Sequence, residues 1–176
     1  MTYDVRRIRA EEWTAAKAQR LAMLQDPAAP IAFLDTYEAA IGRPDDFWQD
    51  RAQQGADGRT SVTYVALAAE RLAGTVSGLL ELPGSEDFGG HPITTPQVHV
   101  VGVYVDPADR GVGLFERMLA EVDAWARSQG VERLRLLVHV DNARARATYA
   151  RCGFAPSGIT VELSAGDELE MVRGLR

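Results

Sequence analysis

VHVVGVYVDPADRGVGLF, residues 98–115, decides the fold of this chain. It reads as a strand, a glycine-rich turn and the start of a helix. Apolar residues fall at 98 and 100, then at 101, 103 and 105. A strand sends alternate side chains to opposite faces, so one buried face should keep a single phase. Here the phase slips between Val100 and Val101, beside Gly102, as a β-bulge would make it. A strand buried on both faces would carry the same run of valines, so that reading stands beside the first.

Asp106-Pro107 ends the ladder, because proline has no donor to give it. Arg110-Gly111-Val112-Gly113 then opens a helix expected to continue through Gln129 and stop at Gly130. The first amides of a helix are unpaired and carry partial positive charge, and glycines let an anion come close to them. Phosphate is the expected anion. No Gly-Lys-Ser/Thr follows and Lys17 is the only lysine, so this is not a Walker loop. Two glycines, with Phe115 in the next small-residue slot, also make a poor dinucleotide fingerprint.

Around this stretch the chain reads as one domain of 176 residues, large enough for a single core. A strand is expected over 3–9 and a helix over 11–25, with Trp13, Ala16, Arg20, Leu21 and Leu24 at helical spacing. Looser helical segments follow at 31–41 and 45–54. Strands at 62–69 and 72–81 meet at a tight hairpin, and the loop 83–96, with three glycines and three prolines, is placed to gate an acceptor. The helix after Gly113 turns Leu114, Met118, Val122 and Trp125 to the core. A strand at 134–140, a helix from Asn142, and a hairpin over 158–164 and 168–175 complete the chain.

Bulk properties narrow the function. A hydrophobic fraction of 46% and a charged fraction of 25% are ordinary for a globular protein. No apolar run approaches the ~18 residues of a membrane span, and no secretion signal opens the chain. Cys152 is the only cysteine, which fits a reducing, cytoplasmic setting and excludes an internal disulfide. A net charge of −6 argues against nucleic acid and permits a cationic substrate. His91, His99 and His139 lack metal-ligand spacing, so no metal is expected.

A second motif selects the phosphate ligand. After the alternating strand Leu134, Leu136, Val138 come Asn142, Ala145, Tyr149, Gly153 and Phe154. The two stretches together resemble the GNAT superfamily of N-acetyltransferases. That family's pyrophosphate signature, Gln/Arg-x-x-Gly-x-Gly/Ala, is matched at Arg110 and Gly113, with Phe115 departing at the last place. Its second signature is matched at all five positions, and the likeness is best over residues 62–174.

The resemblance implies an α/β fold. One mixed, mostly antiparallel sheet of about seven strands is flanked by about four helices and splayed at its central parallel strands. It implies acetyl-CoA as co-substrate, with no metal. The pyrophosphate would lie on Arg110, Gly111, Val112, Gly113, Leu114 and Phe115. The Val103 amide would polarise the thioester carbonyl and Val105 would hold the pantetheine arm. Asn142 would cap its helix or bond that arm, and Arg144, Arg146 and Arg151 are within reach of the nucleotide phosphate. Tyr149, two helical turns beyond Asn142, would serve as general acid. The general base falls to His99, where relatives carry glutamate, with Glu81 and His139 as other candidates. Phe33, Tyr37 and Trp48 would line the acceptor entrance or simply pack helices on the sheet.

The implied reaction is direct transfer in a ternary complex to a small-molecule amine, or alternatively to a protein or peptide amine. No nucleic acid or membrane partner is expected, and a homodimer is left open. A CoA-binding module without catalysis is the rival class, against which Tyr149 counts. A nucleotide-binding protein of another fold is a further rival.

Overall fold

The alternating stretches of the sequence become a mixed sheet in the computed structural model, which describes residues 2–87 and 89–175. Among them seven strands pair in the order β1-β2-β3-β4-β5-β7-β6. They are β1 (Tyr3–Arg7), β2 (Ser61–Ala68), β3 (Arg71–Glu81), β4 (Gln97–Val105), β5 (Arg133–His139), β6 (Ala155–Leu163) and β7 (Gly166–Gly174). The α-helices are α1 (Trp13–Met23), α2 (Tyr37–Ile41), α3 (Asp45–Asp57), α4 (Leu114–Ser128) and α5 (Ala143–Arg151). This is the GNAT-type α/β architecture expected from the two motifs.

Two features of β4 position everything that follows. Its antiparallel register with β3 runs Thr75↔Tyr104 and then Ser77↔Val101, so Gly102 and Val103 together oppose Val76. That is the bulge, one residue beyond the phase slip in the sequence. Gly102 has φ +61°, a conformation that a Cβ would strain. On its other side β4 pairs with β5 in parallel at Val98↔Leu134 and His99↔Arg135, and beyond these the two strands part.

The core lies on one face of this sheet. Helix α4 turns Leu114, Phe115, Met118, Leu119, Val122, Trp125 and Ala126 inward, against Val98 and Val100 of β4 and Leu134 and Leu136 of β5. Burying such side chains contributes roughly 1.5–3 kcal/mol each relative to exposure. The alternate residues face the other way, where Ile8, Val65, Leu67 and Leu72 form a second apolar cluster and the β4–β5 region is polar. Arg135 is fully buried there among the carboxylates of Glu81 (3.3 Å), Asp87 (3.0 Å) and Glu170 (2.9 Å). Asp87 belongs to the long 83–96 loop and also accepts the amides of Gly89 and His91, each at 2.9 Å. The loop read from sequence as a gate is therefore fastened to β5 by an ion pair, and Ile93 is buried beneath it.

The differences from the sequence reading are local. Helix was expected over 31–41, but only Tyr37–Ile41 is α-helical, after a 3₁₀ turn at Ala29–Ile31. The carboxylate of Asp35 accepts the Thr36 amide and pairs with Arg43, and Thr36 then caps α2. Such side-chain bonds compete with the helix ladder. Helix α3 runs on to Asp57 and stops at Gly58, in the left-handed region. The last hairpin has only Ser164 and Ala165 between its paired ends, so both its strands begin earlier than expected.

Candidate active site

Where β4 and β5 part, a cleft of about 620 Å³ opens, within the range of small-molecule sites. Val100–Val105 form one wall and Leu137, Val138 and His139 the other. The glycine turn and α5 close its ends, and Ala28, Ile31 and Ala32 reach its rim.

The glycine turn is built from below. Asp109 accepts the Tyr3 hydroxyl (2.9 Å) and the Arg71 guanidinium (2.6 Å), fixing the 3₁₀ turn Pro107–Asp109. Gly111 and Gly113 follow with φ +84° and +78°, and Gly113 is the N-cap of α4. The Arg117 amide makes the bond to the Gly113 carbonyl, so the amides of Leu114, Phe115 and Glu116 precede the helix ladder. Among the described residues, none beyond the chain neighbours comes within 4 Å of where a Cβ would be at Gly111 or Gly113. An anion such as pyrophosphate fits this open helix end.

Arg110 is engaged by the protein itself. Its Nε donates to the Val105 carbonyl (2.8 Å), its terminal nitrogen pairs with Asp26 (2.8 Å), and its guanidinium lies over the Tyr104 ring. Burial works against the Asp26 charge, but the Ala28 amide and Arg110 outweigh it and hold the carboxyl below its ordinary pKa. Arg110 thus orients the turn. Val112, expected to bind the pyrophosphate, is 56% exposed and does not line the cleft. Leu114 and Phe115 go into the core, so the large side chain at the signature's last place does not crowd the helix amides.

Helix α5 supplies the other side. Asn142 caps it, accepting the Ala145 amide (3.1 Å), and donates to the Ile31 carbonyl (3.3 Å), which ties the rim segment to the helix. Arg144 is exposed at the cleft edge. Arg146 donates to the Val140 carbonyl and Arg151 to Thr148, so both serve the helix first. Tyr149 lines the cleft, its ring between those of Phe115 (5.6 Å) and Phe154 (6.2 Å). Burial first, and then the neighbouring Cys152 and Glu168, push its phenol above the usual pKa and keep it protonated.

The candidate bases separate. His99 is 2% exposed, behind the cleft wall, with Nδ1 3.1 Å from Glu81. Glu81 also accepts Gln97 (2.7 Å) and pairs with Arg135. His139 lines the cleft, but the Asp141 amide donates to its Nδ1 (3.1 Å), which leaves the proton on Nε2 to donate to the Ala165 carbonyl (3.1 Å). Both its nitrogens hold turns.

Sequence reasoning missed Glu168. It sits opposite His139 in the β5–β7 register, lines the cleft and is 8% exposed. Burial pushes its carboxyl above the ordinary value, which the His139 ring only partly offsets. A glutamate in an alternating strand was visible in sequence. The strand crossing that sets it beside the cleft was not.

The three aromatics expected at an acceptor entrance do not line this cleft. Phe33, Tyr37 and Trp48 pack with Trp13, Leu21, Leu24 and Ala40 in a cluster that joins α1, α2 and α3. That packing is one of the two readings the sequence offered, and Ala28, Ile31 and Ala32 stand at the rim of the cleft.

Comparison with known proteins agrees with this geometry. Residues 11–154 match the family model described as Acetyltransferase (GNAT) family. An aminoglycoside N(6')-acetyltransferase type 1 of Stenotrophomonas maltophilia is 31% identical over 110 residues, 62% of this chain and 69% of that protein. A mycothiol acetyltransferase of Beutenbergia cavernae is 38% identical over 65 residues, which is 37% of this chain and 21% of the relative. Among solved structures, the PaiA N-acetyltransferase of Thermoplasma acidophilum in complex with coenzyme A superposes with a TM-score of 0.76. It is 15% identical, and the match covers 99% of both chains.

Proposed function

This chain belongs to the GNAT family of acetyltransferases, and from that premise we propose that it moves the acetyl group of acetyl-CoA directly to a small-molecule amine. The observation that carries the reading is the convergence on one cleft of an open helix N-terminus, a bulged strand and a protonated phenol. The relative named for an aminoglycoside supports a small acceptor.

In this reading the pyrophosphate rests on the main chain from Gly111 to Phe115, and Arg144 lies toward the nucleotide. The carbonyl oxygen takes its hydrogen bond from the bulge, at Val103, where preorganised donors stabilise the charge that develops. The amine nitrogen attacks the thioester carbon, a C–N bond forms and the C–S bond breaks, and the second proton lost by the nitrogen reaches the departing sulfur by way of the Tyr149 hydroxyl, which ends protonated. The raised pKa of that phenol makes it a hydrogen-bond donor to the sulfur at any working pH. Glu168, which faces the cleft, receives the ammonium proton. His99, paired with Glu81 behind the wall, supports the ion network rather than the substrate. The reading needs no covalent enzyme intermediate.

The test is calorimetry with acetyl-CoA and thiol release over a panel of small amines. Micromolar binding with acceptor-dependent thiol release is expected. Tight binding without turnover on any amine or peptide would instead favour a CoA-binding module.

A further inference from the structure

Behind the β4 wall lies a second space. A cavity of about 60 Å³ sits between α1, α3 and the sheet, room for a few waters or for a carboxylate in their place. Thr63, Thr75 and Ser77 form its sheet side, and Gly102 of the bulge borders both this cavity and the cleft. A residue without a side chain is therefore common to both linings.

The helix side of the cavity is rich in donors. Gln19, Arg20, Trp48 and Arg51 line it. Trp48 is 3% exposed and its Nε1 has no hydrogen-bond partner among the described residues, nor has Nε2 of Gln19. An indole N–H can only donate, and a buried donor left without an acceptor is costly. Positive charge is also in excess. Asp35 is the carboxylate that serves Arg20 (3.4 Å) and Arg43 (2.7 Å), and it reaches Arg51, whose side chain runs out to the surface, only at longer range. Burial and then the like charge of Arg51 lower the pKa of Arg20, as expected where cations outnumber their counter-charges.

The opposite sign stands in the cleft. The strand registers place Thr63, Ser77, His99, Arg135, His139 and Glu168 on one face of the sheet. Gly102 thus shares one lining with the cations Arg20 and Arg51 and the other with the Glu168 carboxylate. We propose that this cavity is a carboxylate subsite, and that the acceptor is a short amino acid whose ammonium faces Glu168 and whose carboxylate faces Arg20, Arg51 and Trp48. An acceptor that is cationic throughout would leave the cavity's donors unanswered and set like charges together.

This inference rests on the acetyltransferase reading, and its test separates the two. Glycine, β-alanine, γ-aminobutyrate and the common α-amino acids, each beside its neutral carboxamide, are titrated by calorimetry into the protein saturated with CoA. At least one acid is expected to bind ten-fold or more tighter than its amide. Arg51→Gln should remove that preference while acetyl-CoA still binds, and Trp48→Phe, which keeps the ring and drops the N–H, should weaken it. The inference is overturned if amides bind as well as acids, if no acid binds, or if Arg51→Gln leaves the preference intact. Failure of the wild-type protein to bind acetyl-CoA is the separate result that removes the acetyltransferase reading, and this inference with it.

Discussion

The ring of Phe115 meets the ring of Tyr149 edge to face, with centroids 5.6 Å apart. The residue that departs from the family's small-residue signature is thus the one that braces the phenol. Tyr149 lines the cleft with its ring in edge contact with both Phe115 and Phe154.

Tyr149→Phe removes the hydroxyl and keeps the ring contacts. We expect kcat to fall by roughly 10²-fold or more, the usual scale for a lost acid–base group, with KM for acetyl-CoA little changed. Steady-state rates on the best acceptor check this. A full rate in the variant would remove Tyr149 from the reaction.

With Glu168 as the proposed base, its titration is expected to set the acid limb of the pH–rate profile. A base works deprotonated, so kcat/KM should rise with pH through the Glu168 pKa, which burial places above the ordinary ~4.3 of a glutamate. Glu168→Gln should flatten that limb as well as slow the reaction. A limb that survives the substitution unchanged points to another base.

Arg135→Met removes the cation that Glu81, Asp87 and Glu170 share, leaving Glu170 with Arg133 and Glu81 with His99. Removing one partner of a buried ion network costs about 3–5 kcal/mol, read as a lower midpoint in thermal or urea unfolding. The same network predicts acid sensitivity. Burial opposes the charges of Glu81 and Asp87, but His99 for the first and the His91 amide and Arg135 for the second hold both carboxyls below their usual values. Their stabilisation is present above about pH 4, the ordinary carboxylate range, and is lost as pH falls through the lower folded values. Unfolding midpoints measured from pH 7 downward test the sign.

Gly113→Val places a β-branched residue at φ +78° on the N-cap of α4. A left-handed conformation costs an L-residue roughly 1–2 kcal/mol, and relaxing it would swing the first helix amides. We expect a weaker Kd for CoA by calorimetry with a small loss of stability. An unchanged Kd would place the pyrophosphate elsewhere.

How much of this was legible in sequence follows from which constraints are local. The bulge shows as a slip in valine phase because side-chain alternation belongs to the strand itself. The helix cap at Asn142 and the glycine turn were equally local. Arg110 was ambiguous, since its partner Asp26 lies 84 residues away and only the fold brings them together. Glu168 was invisible as a site residue for the same reason: its neighbour across the sheet is His139, and the β5-β7-β6 order inverts the chain order there. Phe33, Tyr37 and Trp48 kept two readings in sequence because large aromatics serve a helix cluster as well as they serve a binding wall.

The parting of β4 from β5 has one last consequence. Beyond His99, β4 presents to the cleft main-chain groups that β5 does not reach. It behaves there like the border of a sheet, though it runs through the middle of one. Exposed borders invite neighbouring molecules to add a strand and so seed aggregates. Sunk between α4, α5 and the 28–32 segment, this inner border is withheld from other chains and offered only to a slender guest. A guest that satisfied those amides would slow their hydrogen exchange, and would join the two halves of the sheet as a strand would.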